Sequence, residues 1–113
     1  DAYHLTGDKK YLDGAREQLH YILGRNPMGY SYVTGIGTTP ITHPHHRPSG
    51  FLGIPMEGMV SGGPCDWLAD DVAKELRKDA PPAKCFVDMT GSYSTNEVTI
   101  YWNSAFVWLL AGI

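Results

Sequence analysis

The chain has 113 residues, a net charge of −3 and 19% charged residues, and these values exclude several classes of protein. Aromatic residues make up 12% of the sequence, so the chain is expected to fold rather than to stay disordered. It has no block of basic residues that could form a nucleic-acid surface, and no apolar run reaches the ~20 residues of a membrane span.

The two ends predict a piece of a longer protein. The sequence begins at Asp1 without an initiator Met or a signal peptide, and it stops at Ile113 after the apolar segment FVWLLAGI. A length of 113 residues fits one domain or part of one. Residues 1–113 are therefore expected to be a segment of a single domain.

The first predicted element is an amphipathic helix from Asp8 to Leu23. Asp8 is a suitable N-cap, and Gly24 stands where a left-handed residue often ends a helix. Its apolar face is formed, at three- and four-residue spacing, by Tyr11, Leu12, Ala15, Leu19, Ile22 and Leu23.

A long irregular segment follows from Arg25 to about Gly63, with glycines and prolines throughout. Its stretch SYVTGIG predicts a short strand, and the rest is predicted to be loop. Segments of this length without regular structure are uncommon in compact domains, and they usually carry function.

Within this loop, THPHHRPS brings together His43, His45, His46 and Arg47. Three interpretations are open. The histidines could bind a metal, although they lack the spacing of a zinc site and Arg47 would oppose a cation. They could instead belong to a solvated polar loop. Imidazoles and a guanidinium also suit hydrogen bonding to a polyhydroxylated ligand, which favours a substrate-binding loop.

Two more helices are predicted towards the end of the chain. Asp66 to Arg77 permits a weaker helix, which KDAPPAK then ends. Thr95 to Leu110 is the third helix, and its apolar positions on most faces predict burial against partners outside this chain. The predicted fold class is all-α, with about three helices and one long Gly/Pro/His-rich loop.

Glu97 has two interpretations. It stands three residues after Ser94 and before an apolar run, which is the pattern of a helix capping box. Alternatively it does acid–base chemistry, because paired carboxylates beside aromatic rings can cleave a glycosidic bond. Asp88 could supply the second carboxylate, while Tyr93 and Trp102 could supply the apolar surroundings that keep an acid protonated.

Both segments resemble the two signature regions of family 9 glycoside hydrolases, which are mostly endoglucanases that cut β-1,4-glucan. SYVTGIGTTPITHPHHR matches the first region at Ser31, Val33, Thr34, Gly37, Pro44, His45 and Arg47, with a departure at Thr39. FVDMTGSYSTNEVTIYWNS matches the second at Phe86, Asp88, Tyr93, Glu97, Thr99, Asn103 and Ser104. The first helix and SGGP also resemble the family, so the similarity covers nearly the whole chain.

The resemblance implies a role for each matching residue. Family members invert the anomeric carbon, with a Glu as general acid and an Asp as base that activates water. The acid corresponds to Glu97, which on this interpretation lies at a helix start that faces the cleft. Asp88 corresponds to the signature aspartate that supports the active-site carboxylates and His45. His45 and Arg47 correspond to residues that bind the sugar near the scissile bond. The other predicted substrate-binding residues are His46, Tyr93 and Trp102, of which Trp102 would stack on a sugar ring.

The resemblance also implies that the active site is incomplete in this chain. The family base lies in an Asp-Ala-Gly-Asp motif near the beginning of the catalytic domain, and no such motif occurs here. The family fold is an (α/α)6 barrel of twelve helices, so residues 1–113 correspond to its C-terminal portion. The chain alone is expected to be inactive.

The expected partners are a β-glucan polysaccharide and the remainder of the catalytic domain, without a resident metal or cofactor. Family members often carry calcium, but no loop here has its ligand spacing. Because an insoluble polymer cannot enter a cell, the parent is expected to be secreted or bound at the cell surface. Two alternatives stay open: a glucan-binding relative without activity, and an unrelated helical protein with a metal on its His cluster.

Cys65 and Cys85 leave one more alternative open. Their separation of twenty residues fits neither a metal motif nor a redox motif. They could form a disulfide in a secreted protein or remain as two buried thiols.

Overall fold

The computed structural model describes residues 1–113 and consists of short helices joined by long loops. The helices are α1 (Ala2–Thr6), α2 (Lys9–Ile22), α3 (Arg47–Leu52), α4 (Asp71–Arg77), α5 (Tyr93–Asn96) and α6 (Ile100–Ala111), with a 3₁₀ turn at Pro82–Lys84. No β-strand forms, so the prediction of an all-α chain is confirmed. None of the helices combines the length and apolar character that crossing a membrane requires.

Helix α2 agrees with its prediction to within one residue at each end. The Asp8 carboxylate accepts a hydrogen bond from the Lys10 amide at 3.1 Å, as an N-cap does. The helix ends at Ile22 with Leu23 as its C-cap. Gly24 follows with φ of 124°, a conformation that would strain any residue with a side chain.

The loop between residues 25 and 63 contains a helix that the sequence pattern did not predict. Helix α3 begins after His46, whose side chain caps it, and Pro48 fits its first turn. It ends at Gly53, which has φ of 74°. The six residues of α3 are too few to show a helical repeat, which explains why periodicity missed them.

Isolated main-chain pairings, rather than a sheet, organise the loops. They join Ser31 with Pro40, Val33 with Val60, Ser61 with Val98, and His45 with Glu97. The predicted strand at SYVTGIG is therefore wrong, because that stretch makes single bridges only. The pairings continue from one segment to the next, so residues from four distant parts of the sequence lie side by side.

The buried core is small and lies under these loops. Its centre is formed by Tyr32, Ile41 and Phe86, with Met28 and Tyr30 packed against it. The ring centroids of Tyr32 and Phe86 are 5.0 Å apart in an edge-to-face arrangement. The Tyr32 hydroxyl is buried without a hydrogen-bond partner, and burial raises its pKa.

The predicted helix Asp66 to Arg77 is shorter in the structure. Helix α4 begins at Asp71, and the N-cap is Asp70, whose carboxylate accepts from the Ala73 amide at 2.7 Å. Several aspartates in this stretch could cap a helix, so composition alone did not locate its start. The helix ends at Arg77, as predicted.

The third predicted helix is two helices, and the capping box is not present. Helix α5 is one turn, Tyr93–Asn96, and an extended segment separates it from α6. The Ser94 hydroxyl bonds to Asp70, and Glu97 is the residue after α5 in extended conformation. Thr99 is the N-cap of α6 and accepts a hydrogen bond from the Trp102 amide at 3.4 Å. Glu97 therefore precedes α6 by three residues instead of capping it.

Helix α6 is apolar and largely uncovered. No residue of α6 is buried, and Ile100, Tyr101 and Trp108 are exposed to 85%, 83% and 66%. Within this chain it contacts α2. The prediction that this apolar helix lacks partners in the chain agrees with this exposure.

The two cysteines are free thiols, and a main-chain hydrogen bond joins their backbones. The Cys65 amide donates to the Cys85 carbonyl at 3.0 Å, while the Cys85 side chain is buried. Burial raises the pKa of the Cys85 thiol, with nearby Asp66 acting in the same direction. The disulfide that the sequence left open is not formed in this structure.

Candidate active site

Glu97 lies in the extended segment between α5 and α6, and its backbone is held on two sides. It pairs with His45 in a parallel bridge, and its carbonyl accepts from the Gly62 amide at 3.0 Å. The residue itself is exposed. An exposed carboxylate on a fixed backbone can meet a ligand without having to reorganise the chain.

The ring of His45 is oriented by neighbours on two other segments. Its Nδ1 lies 2.5 Å from the Thr90 carbonyl, and because a carbonyl only accepts, Nδ1 carries the hydrogen. The Tyr93 ring lies edge-on to the imidazole, with 6.0 Å between centroids. The His45 amide donates to the Asn96 carbonyl at 2.8 Å. Nε2 is therefore the imidazole nitrogen left for a ligand.

Asp88 is a nearly buried carboxylate that holds the start of the histidine loop. It accepts from the Thr42 amide at 2.8 Å, the Thr42 hydroxyl at 3.0 Å and the His43 amide at 2.9 Å. A fourth bond comes from the Asn96 side chain at 3.0 Å. No hydrogen bond joins Asp88 to Glu97. Asp88 thus supports the backbone that leads to His45.

His46 and Arg47 stand at the beginning of α3 and differ in what they contact. The His46 Nδ1 accepts from the Ser49 amide at 3.4 Å and lies 2.8 Å from the Ser49 hydroxyl. That nitrogen is used to cap the helix. The Arg47 side chain is exposed and forms no hydrogen bond or ion pair within the chain. Its guanidinium is the group here that can bind an external ligand in bidentate fashion.

The two aromatic residues predicted to bind substrate lie in different surroundings. Tyr93 is 48% exposed, and its hydroxyl donates to the Ala69 carbonyl at 3.1 Å. The Trp102 ring lies so close to Gly62 that a Cβ there would meet it at 2.7 Å. Trp102 also lines an apolar cavity of about 350 Å³ between α2 and α6. The contacts of Trp102 favour packing, whereas Tyr93 keeps an exposed face beside His45.

The larger cavities of the chain do not contain the predicted acid. One, of about 380 Å³, is lined by residues near the two chain ends and by Ala15 of α2, and another is the apolar cavity beside Trp102. Neither is lined by Glu97 or His45. Glu97 and His45 therefore lie on an open surface in this chain, whereas Trp102 lines the apolar cavity.

Asp70 was not predicted, although it connects the site to α4. It is 3% exposed, and its carboxylate also accepts from the Ser92 hydroxyl at 3.0 Å and the Ser94 amide at 2.9 Å. Burial acts to raise its pKa, but the hydrogen bonds from Ser94, Ala73 and Ser92 outweigh burial and leave the pKa lowered. The N-cap preference of Asp was the signal that could have identified it.

Asn96 was also missed. It is fully buried next to Glu97, and its side chain reaches His43 and Asp88. A buried Asn has no distinctive pattern in a single sequence, so no signal was available. The structure brings together no group of three or more His, Cys, Asp or Glu side chains that could hold a metal ion, including the His cluster.

Comparison with known proteins gives a consistent family match. The profile of glycosyl hydrolase family 9 matches residues 1–110. The chain is 51% identical over 99% of its length to the cellodextrinase of Butyrivibrio fibrisolvens, and 43% identical over 97% to the cellulose 1,4-beta-cellobiosidase of Acetivibrio thermocellus. Among solved structures, family 9 endoglucanase J30 superimposes with a TM-score of 0.91 at 34% identity over 96% of the chain.

The match covers a small part of each relative. The chain spans 21% of the cellodextrinase, 13% of the cellobiosidase and 21% of the J30 structure. Each of these proteins is therefore several times longer than this chain.

Proposed function

This chain belongs to glycosyl hydrolase family 9, and from that premise we propose that it carries the acid side of an active site for β-1,4-glucosidic bonds. The observation that carries the proposal is the exposed carboxylate of Glu97 on a backbone paired with His45. By the resemblance to the family signatures, Glu97 corresponds to the acid and His45 to a histidine that binds the sugar. The parent protein is a glycoside hydrolase on this account.

The proposed reaction inverts the anomeric carbon. Glu97 gives its proton to the oxygen that bridges two sugars, so the departing sugar leaves as a neutral alcohol. A carboxylate outside this chain removes a proton from water, whose oxygen forms the new bond to the anomeric carbon. The two carboxyl groups must lie roughly 6.5–9.5 Å apart to leave room for that water. The second one belongs to the remainder of the domain.

His45 and Arg47 are proposed to bind the sugar beside the scissile bond. The Nε2 of His45 is left for a ligand because Nδ1 is bonded to Thr90, and the Arg47 guanidinium has no partner in the chain. Asp88 acts indirectly by holding residues 42 and 43. Tyr93 offers an exposed ring face, while His46 and Trp102 have contacts that suit support more than sugar binding.

We further propose that the chain is the C-terminal portion of an (α/α)6 barrel. Its all-helical structure, its share of the relatives' length and the uncovered apolar surface of α6 support this. The remainder of the catalytic domain would cover α6 and supply the base. The substrate class is cellulose or a related β-glucan, and the parent would act outside the cell, where such polymers are found.

A chimera tests the proposed function directly. This chain should replace the matching segment of the B. fibrisolvens cellodextrinase, and release of reducing sugar from cellodextrins should be measured. The chimera should be active, and Glu97→Gln should lower kcat about 10²–10⁴-fold with little change in KM, because general acid catalysis contributes that much. The matched control is Glu75→Gln, which changes an exposed glutamate on α4.

The outcomes separate the proposal from its alternatives. Retained kcat in the Glu97→Gln chimera would show that Glu97 is not the acid. A full-length parent that binds β-glucan without turnover would instead support the non-catalytic relative. The Glu75→Gln chimera shows whether a Glu-to-Gln change outside the site lowers activity by itself.

A further inference from the structure

Asn96 connects the segment that carries Glu97 to the histidine loop. Its side chain is fully buried, and Nδ2 donates to the His43 carbonyl at 2.8 Å and to the Asp88 carboxylate at 3.0 Å. The Asn96 side-chain nitrogen thus bonds both to the histidine loop, at His43, and to Asp88, which supports that loop. Asn96 is the residue immediately before Glu97.

The main chain of Asn96 makes a second connection to the same loop. Its carbonyl accepts from the His45 amide at 2.8 Å, and its own amide donates to the Ser92 carbonyl at 2.9 Å. The side chain therefore fixes residue 43, the backbone fixes residue 45, and both are tied to α5. No hydrogen bond joins the side chains of His45 and Glu97, so Asn96 connects their two segments through its bonds to residues 43 and 45.

The chemistry of the contact explains why an amide is needed. Both partners of Nδ2 accept hydrogen bonds, so the opposite amide orientation would place oxygen against oxygen. An Asp of the same shape would repel both partners, and a Ser could donate only once. The Asn96 Oδ1 is buried without a partner, which costs stability. Asn96 is thus present for its two donated bonds.

We propose that Asn96 is a positioning residue for glycosidic bond cleavage. By holding His43 and His45 in register with Glu97, it sets the distance between the proton donor and the imidazole that binds the sugar. This inference rests on the proposed function of Glu97. A misplacement of about 1 Å in an active site can lower the rate about 10²-fold, so the effect of losing these bonds is measurable.

The test is Asn96→Asp in the full-length parent or in the active chimera, with a matched control elsewhere in the chain. Asn26 also donates two bonds from Nδ2, to the Tyr21 and Tyr30 carbonyls at 2.7 Å each, but in the turn after α2. Asn26→Asp is therefore the same chemical change outside the site. Both variants should lose thermal stability, while only Asn96→Asp should lower kcat, by about 100-fold. KM should stay within about threefold, because the polymer contacts many other residues.

A second variant covers the case in which Asn96→Asp does not fold. Asn96→Ser is neutral and places no charge beside the Asp88 carboxylate, so it should fold more readily, and its shorter side chain should lower kcat in the same direction. The inference is wrong if a folded variant at position 96 keeps kcat within threefold of wild type, or if Asn26→Asp lowers kcat equally. If the Glu97→Gln variant also retains kcat, both the proposed function of Glu97 and the positioning role of Asn96 are wrong. If only the Asn96 variants retain kcat, the function stands and the positioning role does not.

Discussion

Asp70 holds the residues at the start of α5 through hydrogen bonds. Its carboxylate receives hydrogen bonds from Ala73, Ser92 and Ser94, and it is almost fully buried. Asp70→Asn would replace one carboxylate oxygen by an NH₂ group, which cannot accept the hydrogen bonds that Ala73, Ser92 and Ser94 donate. We expect the free energy of unfolding of the complete domain to fall by about 2–3 kcal/mol. Urea unfolding measures this, and Asp71→Asn, at an exposed neighbour, should change it by less than about 0.5 kcal/mol.

Acid should remove the contribution of Asp70. Its pKa is lowered in the folded chain, so its stabilisation is fully present above the unfolded value of about 3.9 and is lost as the pH falls through the folded value. The difference in unfolding free energy between wild type and Asp70→Asn should therefore shrink below about pH 4. A difference that stays constant at lower pH would contradict the lowered pKa.

At the residue scale the sequence points to groups whose own chemistry suits the proposed reaction. His45 and Arg47 stand out because they share a long irregular loop, and such loops usually carry function. Glu97 stands out because a carboxylate beside aromatic residues suits acid–base chemistry. Asn96 and Asp70 could not be recognised in the same way. Part of their importance comes from distant partners that only the folded chain shows: Ser94 lies 24 residues from Asp70, and His43 lies 53 residues from Asn96.

At the level of elements, the break between α5 and α6 is the main difference from the sequence prediction. The apolar repeat predicted one continuous helix, and Ser94 with Glu97 supplied the pattern of a start. In the structure, Glu97 and Val98 are extended and pair with His45 and Ser61. These tertiary pairings outweigh local helix preference, which is worth at most about 0.7 kcal/mol per ordinary residue. A periodicity argument cannot detect such pairings.

The break predicts which residue caps α6. Thr99→Ala should lower the unfolding free energy of the complete domain by about 1 kcal/mol, because the Trp102 amide loses its acceptor. Ser104→Ala is the control, since that hydroxyl bonds to the Tyr101 carbonyl on the exposed surface of the same helix. Thermal unfolding followed by circular dichroism compares the two. Equal, small effects would mean that Thr99 does not cap α6.

For the molecule as a whole, the exposed apolar surface is the dominant feature. Only 18 of 113 residues are buried, which is too few to support a stable independent domain, and α6 contributes none of them. The sequence anticipated this from the apolar character of the last helix. The prediction of a barrel architecture came from the resemblance to family 9, because three helical patterns alone fit many all-α folds.

The isolated chain should therefore be marginally folded and inactive. It should bind a hydrophobic dye such as anilinonaphthalene sulfonate, and unfold without a sharp transition. Adding or co-expressing the remainder of the domain should reduce dye fluorescence and restore a cooperative transition. A monomeric isolated chain that unfolds cooperatively, or that hydrolyses a soluble β-glucan, would contradict this expectation.

The most direct test of the central claim uses the leaving group. In the complete domain, Glu97→Gln should be compared with wild type on cellodextrins and on a dinitrophenyl cellodextrin, whose leaving group departs without being protonated. If Glu97 is the general acid, kcat should fall about 10²–10⁴-fold on cellodextrins and by less than about tenfold on the activated substrate. An equal loss on both substrates, or no loss on either, would show that Glu97 does not deliver the proton.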